Sequence, residues 1–89
     1  MAAAASTPER YIDVEVTVGD IAEGVPCESA ECPLALALRR TYAGAQVGEE
    51  GWQTGLGDTS ALPPDAIMFV ADFDAGRPVK PGTFRLFLS

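Results

Sequence analysis

The sequence predicts a mixed α+β fold with its elements in the order β-α-β-β-α-β, forming one small sheet covered on one face by two helices. Three observations predict it. Apolar residues recur with a period of two near both ends of the chain, as a strand with one buried face requires. Between them stand two runs of helix formers, each opened by proline. Glycine-rich and polar stretches separate the runs. The order fits a ferredoxin-like arrangement. A less regular α+β fold is the alternative, because the middle strands are weakly patterned.

Residues 1–9 combine small residues with Ser, Thr and Pro and bury little, so a disordered tail is expected before a single domain over residues 10–89. In the first strand Ile12, Val14, Val16 and Val18 alternate with Tyr11, Asp13, Glu15 and Thr17. Gly19 and Asp20 end it, with Asp20 placed to cap a short helical turn through Ile21 to Glu23 and Gly24 to close that turn. Residues 24–32 read as a loop holding both cysteines. Pro33 opens the first main helix, whose run Leu34 to Arg40 ends in two arginines that suit a helix C-terminus, with Gly44 as the stop.

Ala45 to Gly48 reads as a short strand, Glu49-Glu50-Gly51 as a turn and Trp52 to Thr54 as the return strand. Gly55 to Ser60 reads as a loop. Leu62-Pro63-Pro64-Asp65 starts a second helix that runs to about Asp74, with Gly76 beyond its end and Pro78 confirming the stop. The last strand, Thr83 to Leu88, sets Phe84, Leu86 and Leu88 on one face and Arg85 and Phe87 on the other. The two strongly patterned strands are the first and last, and they are expected to be neighbours at the centre of the sheet.

Composition excludes several function classes. An 89-residue chain has room for one modest core. With 13 acidic residues against 6 basic ones, its net charge of −7 argues against direct binding to nucleic acid, which depends on clustered Lys and Arg. The same charge steers toward basic partners and also keeps a small protein in solution. The chain contains no His, so neither a Ser–His nor a Cys–His nucleophile pair can form. Met1 to Pro8 lack the basic start and apolar run of a signal peptide, and no later stretch is long enough to span a membrane. The expectation is a cytoplasmic, non-enzymatic protein without a cofactor.

Four constellations carry the remaining chemistry. Cys27 and Cys32 flank a four-residue spacer, and Cys32 precedes the helix-opening Pro33. A helix N-terminus lowers a thiol pKa, so three readings stay open: two reduced structural cysteines, a redox pair, or a metal site completed by Glu28 or Glu31. On the first main helix, Leu34, Ala37, Leu38, Thr41 and Tyr42 share the core side at 100° per residue. Leu36 points the opposite way between Arg39 and Arg40, with Ala35 widening the patch. A Leu framed by arginines resembles an interface anchor, so Leu36, Arg39 and Arg40 are the candidate partner-binding residues; self-association is the other use of the patch.

On the second helix, Ala66, Ile67, Phe69, Val70, Ala71 and Phe73 fill a wide apolar arc, while Asp72 and Asp74 near its end oppose the helix dipole and call for neutralisation by Arg77 and Lys80. Glu49, Glu50, Asp58 and Asp65 scatter over loops around Trp52, and the Gly55-x-Gly57 pair lacks the basic residue of a phosphate loop.

One pattern extends over most of residues 12–88: Asp20-Ile21-x-x-Gly24, then Cys32-Pro33-Leu34-Ala35-Leu36-Ala37-Leu38, then Leu62-Pro63-x-x-Ala66, Phe69, Phe73-Asp74-x-Gly76-x-Pro78-Val79-x-Pro81 and Phe84. It resembles a family of small uncharacterised actinobacteriophage proteins. The resemblance implies no fixed activity, cofactor or catalytic residue. It implies a setting, that of phage accessory proteins that bind host or phage proteins in the host cytoplasm. The expected function is a non-enzymatic protein-binding module. The alternatives are a DNA-mimicking inhibitor of a nucleic-acid-binding or defence enzyme, and a cysteine-based redox or zinc module.

Overall fold

A computed structural model describes residues 11–49, 51–55 and 59–87 of the chain. The expected tail over residues 1–9 and the end of the last strand at Leu88 lie outside the described residues. The fold is mixed α+β. Strand β1 (Tyr11–Val16) pairs antiparallel with β5 (Gly82–Phe87), so the first and last strands are neighbours as expected, but in a sheet of their own rather than at the centre of a larger one. Val14, Val16 and Leu86 turn inward and are buried. On the outward face Asp13 lies opposite Arg85 and accepts its Nε–H at 3.1 Å, while the Arg85 guanidinium sits 4.2 Å from the centre of the Tyr11 ring.

The strands form two sheets rather than one. The second is β2 (Gln46–Val47), β3 (Gly51–Gln53) and β4 (Ser60–Ala61), antiparallel and in that order. The expected hairpin is present, with Val47 opposite Trp52, and β4 adds a strand where the loop read over Gly55 to Ser60 ends. A ferredoxin-like sheet would place β1 beside these strands. β4 stands in the way, because it already occupies the edge of β3 away from β2, with Gly51 opposite Ala61 and Trp52 opposite Ser60. Both sheets nonetheless contribute to one core, where Val14, Val16 and Leu86 join Val47, Trp52 and Leu62 around Leu34, Leu38, Phe69 and Val70.

The short helix α1 (Val18–Glu23) begins earlier than the sequence suggests, and its cap is Thr17 rather than Asp20. Thr17 Oγ1 accepts from Asp20 N–H at 3.1 Å, and Asp20 Oδ2 accepts from Thr17 N–H at 2.9 Å. This reciprocal box satisfies two donors that a helix start leaves open. α1 closes at Gly24 against the next helix: a Cβ there would lie 2.7 Å from Pro33 Cδ, so only glycine permits the approach. Helix α2 (Pro33–Arg39) starts at its proline but ends before Gly44. Arg40 N–H bonds Ala37 O at 3.3 Å and Thr41 N–H bonds Leu38 O at 2.9 Å, three-residue closures that stop the helix. Helix α3 (Pro64–Asp74) has the predicted start and end.

Asp20 is 6% exposed and would be costly to bury alone. Arg40 resolves this by donating to both Asp20 oxygens, at 2.7 and 2.9 Å, and to Glu15 O at 2.7 Å. The hydrogen bond from Arg40 pulls the Asp20 carboxyl below its ordinary value of 3.8, against the opposing effect of burial, and the Thr17 N–H adds to the pull.

Asp20→Ala is expected to lower stability by about 2 kcal/mol, roughly half from the cap and half from charge-assisted bonds discounted for the exposure of Arg40. Urea unfolding followed through Trp52, the single tryptophan, measures it. Because the folded carboxyl titrates below its unfolded value, its contribution is complete above about pH 4 and is lost as pH falls through the folded pKa. Asp20→Asn should therefore show a shallower loss of stability between about pH 4 and pH 2 than the parent, and equal slopes would contradict the assignment.

Gly55→Ala should be more damaging still. Its φ of +97° is disfavoured for a side chain, and a Cβ would meet Gly44 Cα at 2.8 Å. A loss above about 2 kcal/mol is expected in the same measurement, since left-handed backbone alone accounts for about 1–2.

Candidate functional site

The residues singled out on α2 already have intramolecular partners. Leu36 is half-buried and Ala35 is fully buried, so the outward patch is narrower than the helical wheel implies. The reason is α1, which packs on α2 as β1 does and leaves the short helix little free face. Arg39 Nε donates to Ala45 O at 3.0 Å, and Arg40 holds Asp20. Arg40 also lines a hollow of about 390 Å³ between β1 and α2, with its guanidinium engaged as described.

The cysteines are both free, Cys27 exposed and Cys32 buried. Cys32 caps α2, its Sγ accepting from Ala35 N–H at 3.4 Å. The helix start does not make this thiol acidic: burial pushes its pKa up, outweighing the nearby backbone donors. A reactive thiolate needs the reverse balance. Among the described residues, no three of the His, Cys, Asp and Glu side chains stand together as a metal site requires. Of the carboxylates around Trp52, Glu50 and Asp58 lie outside the described residues, as does Gly57, and Asp65 accepts from Ala66 N–H at the start of its own helix at 2.9 Å. Trp52 Nε1 is buried without a hydrogen-bond partner among the described residues, although Trp52 helps line a hollow of about 300 Å³.

The arrangement that the sequence did not nominate for partner binding lies along α3. The wide apolar arc of this helix divides in two. Ala66, Phe69 and Val70 face the core, where Phe69 meets Phe84 edge-on at 5.1 Å between ring centres. The flank of the arc, Ile67, Val70, Ala71 and Ala75, lines a hollow of about 430 Å³ together with the carboxylates Glu49 and Asp74. Positions 67, 70, 71, 74 and 75 follow the i, i+3, i+4, i+7, i+8 spacing, so they form one continuous stripe. A smaller hollow of about 190 Å³ adjoins it, shares Glu49, Val70 and Asp74, and adds Cys27 and Glu28. The two form one groove with an apolar floor and an acidic lip, and no Lys or Arg lines it among the described residues.

Asp74 builds the lip. Its Oδ1 accepts from Cys27 N–H at 2.8 Å, joining residues 47 positions apart. That bond answers for one of the two carboxylates that oppose the α3 dipole; the other, Asp72, pairs with Arg77 Nε at 2.8 Å. Cys27 has φ +63°, the left-handed region that a residue with a Cβ adopts only when its surroundings insist on it. The contact with Asp74 acts together with the bonds from Val25 N–H to Glu31 O at 2.8 Å and from Cys32 N–H to Glu28 O at 3.0 Å in holding the loop. The sequence signal for the groove was the width of the α3 arc, which exceeds the stripe that a core-facing helix needs.

No helix among the described residues is long and apolar enough to cross a membrane. Compared with protein-family models, with curated proteins and with solved structures, the chain matches nothing.

Thiol labelling separates the two cysteines. Cys27 should react with a maleimide in the native protein, while Cys32 should react only on unfolding, because it is 2% exposed and its thiolate is disfavoured. Rapid labelling of both thiols at neutral pH would refute the capping role of Cys32.

Proposed function

We propose that this chain is a small acidic phage accessory protein, a non-enzymatic module that binds another protein of host or phage origin. The observation that carries the reading is the open apolar flank of α3. A helix normally turns apolar side chains to the core and polar ones to water, yet Ile67, Ala71 and Ala75 floor an open groove and Met68 beside them is 65% exposed. Uncovered apolar surface beside charged residues marks protein contacts more often than chemistry. The phage setting comes from the resemblance of the residue pattern, and the net charge of −7 favours encounter with basic surfaces. Leu36 with Arg39 and Arg40 is the second surface this reading offers; it ranks behind the groove because both arginines already bond within the chain.

Affinity capture from a host lysate, with identification by mass spectrometry, tests the reading when run with two variants beside the parent. Ala71→Arg places bulk and charge on the groove floor at an exposed helix position. The double variant Leu36→Glu with Arg39→Ala disturbs the α2 patch and spares Arg40. A partner lost with Ala71→Arg and retained by the double variant is expected. The opposite pattern would transfer the contact to α2, and a partner retained by both would remove both surfaces.

A further inference from the structure

Resting on the protein-binding reading, we propose that the α3 groove receives a basic amphipathic helix of its partner: one face of aliphatic side chains on the floor, with Lys or Arg on either side against the lip. The floor specifies the apolar face. Ile67, Val70, Ala71 and Ala75 run along one helical stripe, which spans about 12 Å at 1.5 Å per residue. The small alanines leave this stripe low, so the side-chain ridge of a second helix can lie in it and the two can approach closely. An extended strand would instead need free backbone donors and acceptors at the groove wall. The nearest strand, β2, has given its outward Val47 N–H to Ser29 O at 2.8 Å.

The lip specifies the charge. Glu28, Glu49 and Asp74 border the groove, and none of the three enters an ion pair among the described residues. The cations whose ion pairs are seen lie elsewhere: Arg40 with Asp20, Arg77 with Asp72 and Arg85 with Asp13. A segment that brings lysines or arginines to this lip meets unopposed negative charge. A second copy of this chain would bring a net charge of −7 to the same place and be repelled. Nucleic acid is disfavoured for the same reason. The carboxylates are spread along the lip, not gathered as metal ligands.

The test uses the full chain and fluorescein-labelled peptides of about 14 residues. One carries leucines at i, i+3, i+4 and i+7 flanked by lysines; a second has every lysine replaced by glutamate; a third keeps the lysines and replaces the leucines by serine. The Lys–Leu peptide is expected to bind in the range of tens of micromolar and to weaken at least about fivefold between roughly 50 and 500 mM salt. The other two should bind at least about tenfold more weakly. Ala71→Arg should weaken the Lys–Leu peptide at least about tenfold, and Ala71→Gln should do so to a smaller degree through bulk alone. Glu49→Gln and Asp74→Asn should each weaken it about two- to threefold, the latter keeping an oxygen for Cys27 N–H. Circular dichroism and Trp52 emission confirm that each variant is folded.

Equal binding of the Lys–Leu and Glu–Leu peptides, indifference to Ala71→Arg, or no binding at all would overturn the proposal. So would a concentration-dependent dimer abolished by Ala71→Arg, which assigns the groove to a second copy. A captured partner that depends on Ala71 but contacts it through a neutral or acidic segment overturns this proposal alone and leaves the protein-binding reading intact. A captured partner indifferent to Ala71 overturns the groove reading itself.

Discussion

Arg40 and Asp20 hold together the parts of this chain that would otherwise have little reason to meet. Asp20 completes the capping box of α1, Arg40 closes the end of α2, and the guanidinium reaches past the carboxylate to Glu15 O on β1. One forked cation thus ties a strand and two helices, each too short to be stable alone. The geometry meets the conditions under which a buried carboxylate is tolerated: two bonds from one guanidinium and a third from Thr17 N–H. The rest follows in sequence. With α1 fixed, its Gly24 end meets Pro33 and sets the direction of α2. With α2 fixed, Leu34 and Leu38 are delivered to the core that both sheets share.

The clamp also determines where charge remains available. An acidic chain with 6 basic residues has few cations to distribute. Three of its arginines are in ion pairs within the fold, and a fourth, Arg39, bonds a backbone oxygen. Arg77 relieves Asp72 near the end of α3, and the backbone N–H of Cys27 does the same for Asp74. A backbone donor satisfies a hydrogen bond without cancelling a charge. Asp74 is therefore held in place by a neutral donor beside the groove, a different outcome from that of Asp72, which pairs with a cation.

What was legible in the sequence was what periodicity and proline record. Alternation marked β1 and β5 and their pairing; prolines marked the starts of α2 and α3. The short strands left too little pattern to show which neighbours they choose, since two or three residues cannot specify a register or a sheet. The separation into two sheets goes with β4 taking the second edge of β3, a pairing of two residues that no local pattern signals. The partnership of Asp20 with Arg40 lies across 20 residues and is equally silent. The candidate site was half legible. The α3 arc was visibly too wide for a core stripe alone, but which flank would stay open depended on where Cys27 and Glu49 came to rest. On α2 the wheel placed Leu36 correctly away from the core and misjudged its exposure, because α1 was read as a single turn with no packing role.

The groove changes the weight given to net charge. Seen as composition, a charge of −7 is what keeps a small protein dispersed. Beyond roughly 8 Å at physiological salt such charges are largely screened, so a docked segment feels only those beside it. Glu28, Glu49 and Asp74 are the charges that border the apolar floor, and they decide the sign of what the floor accepts. The remaining acidic surface acts at longer range and lower salt, on the rate of encounter more than on the strength of the complex. For a partner docked as proposed, neutralising the lip would weaken the contact and its salt dependence, whereas neutralising distant carboxylates would slow association alone.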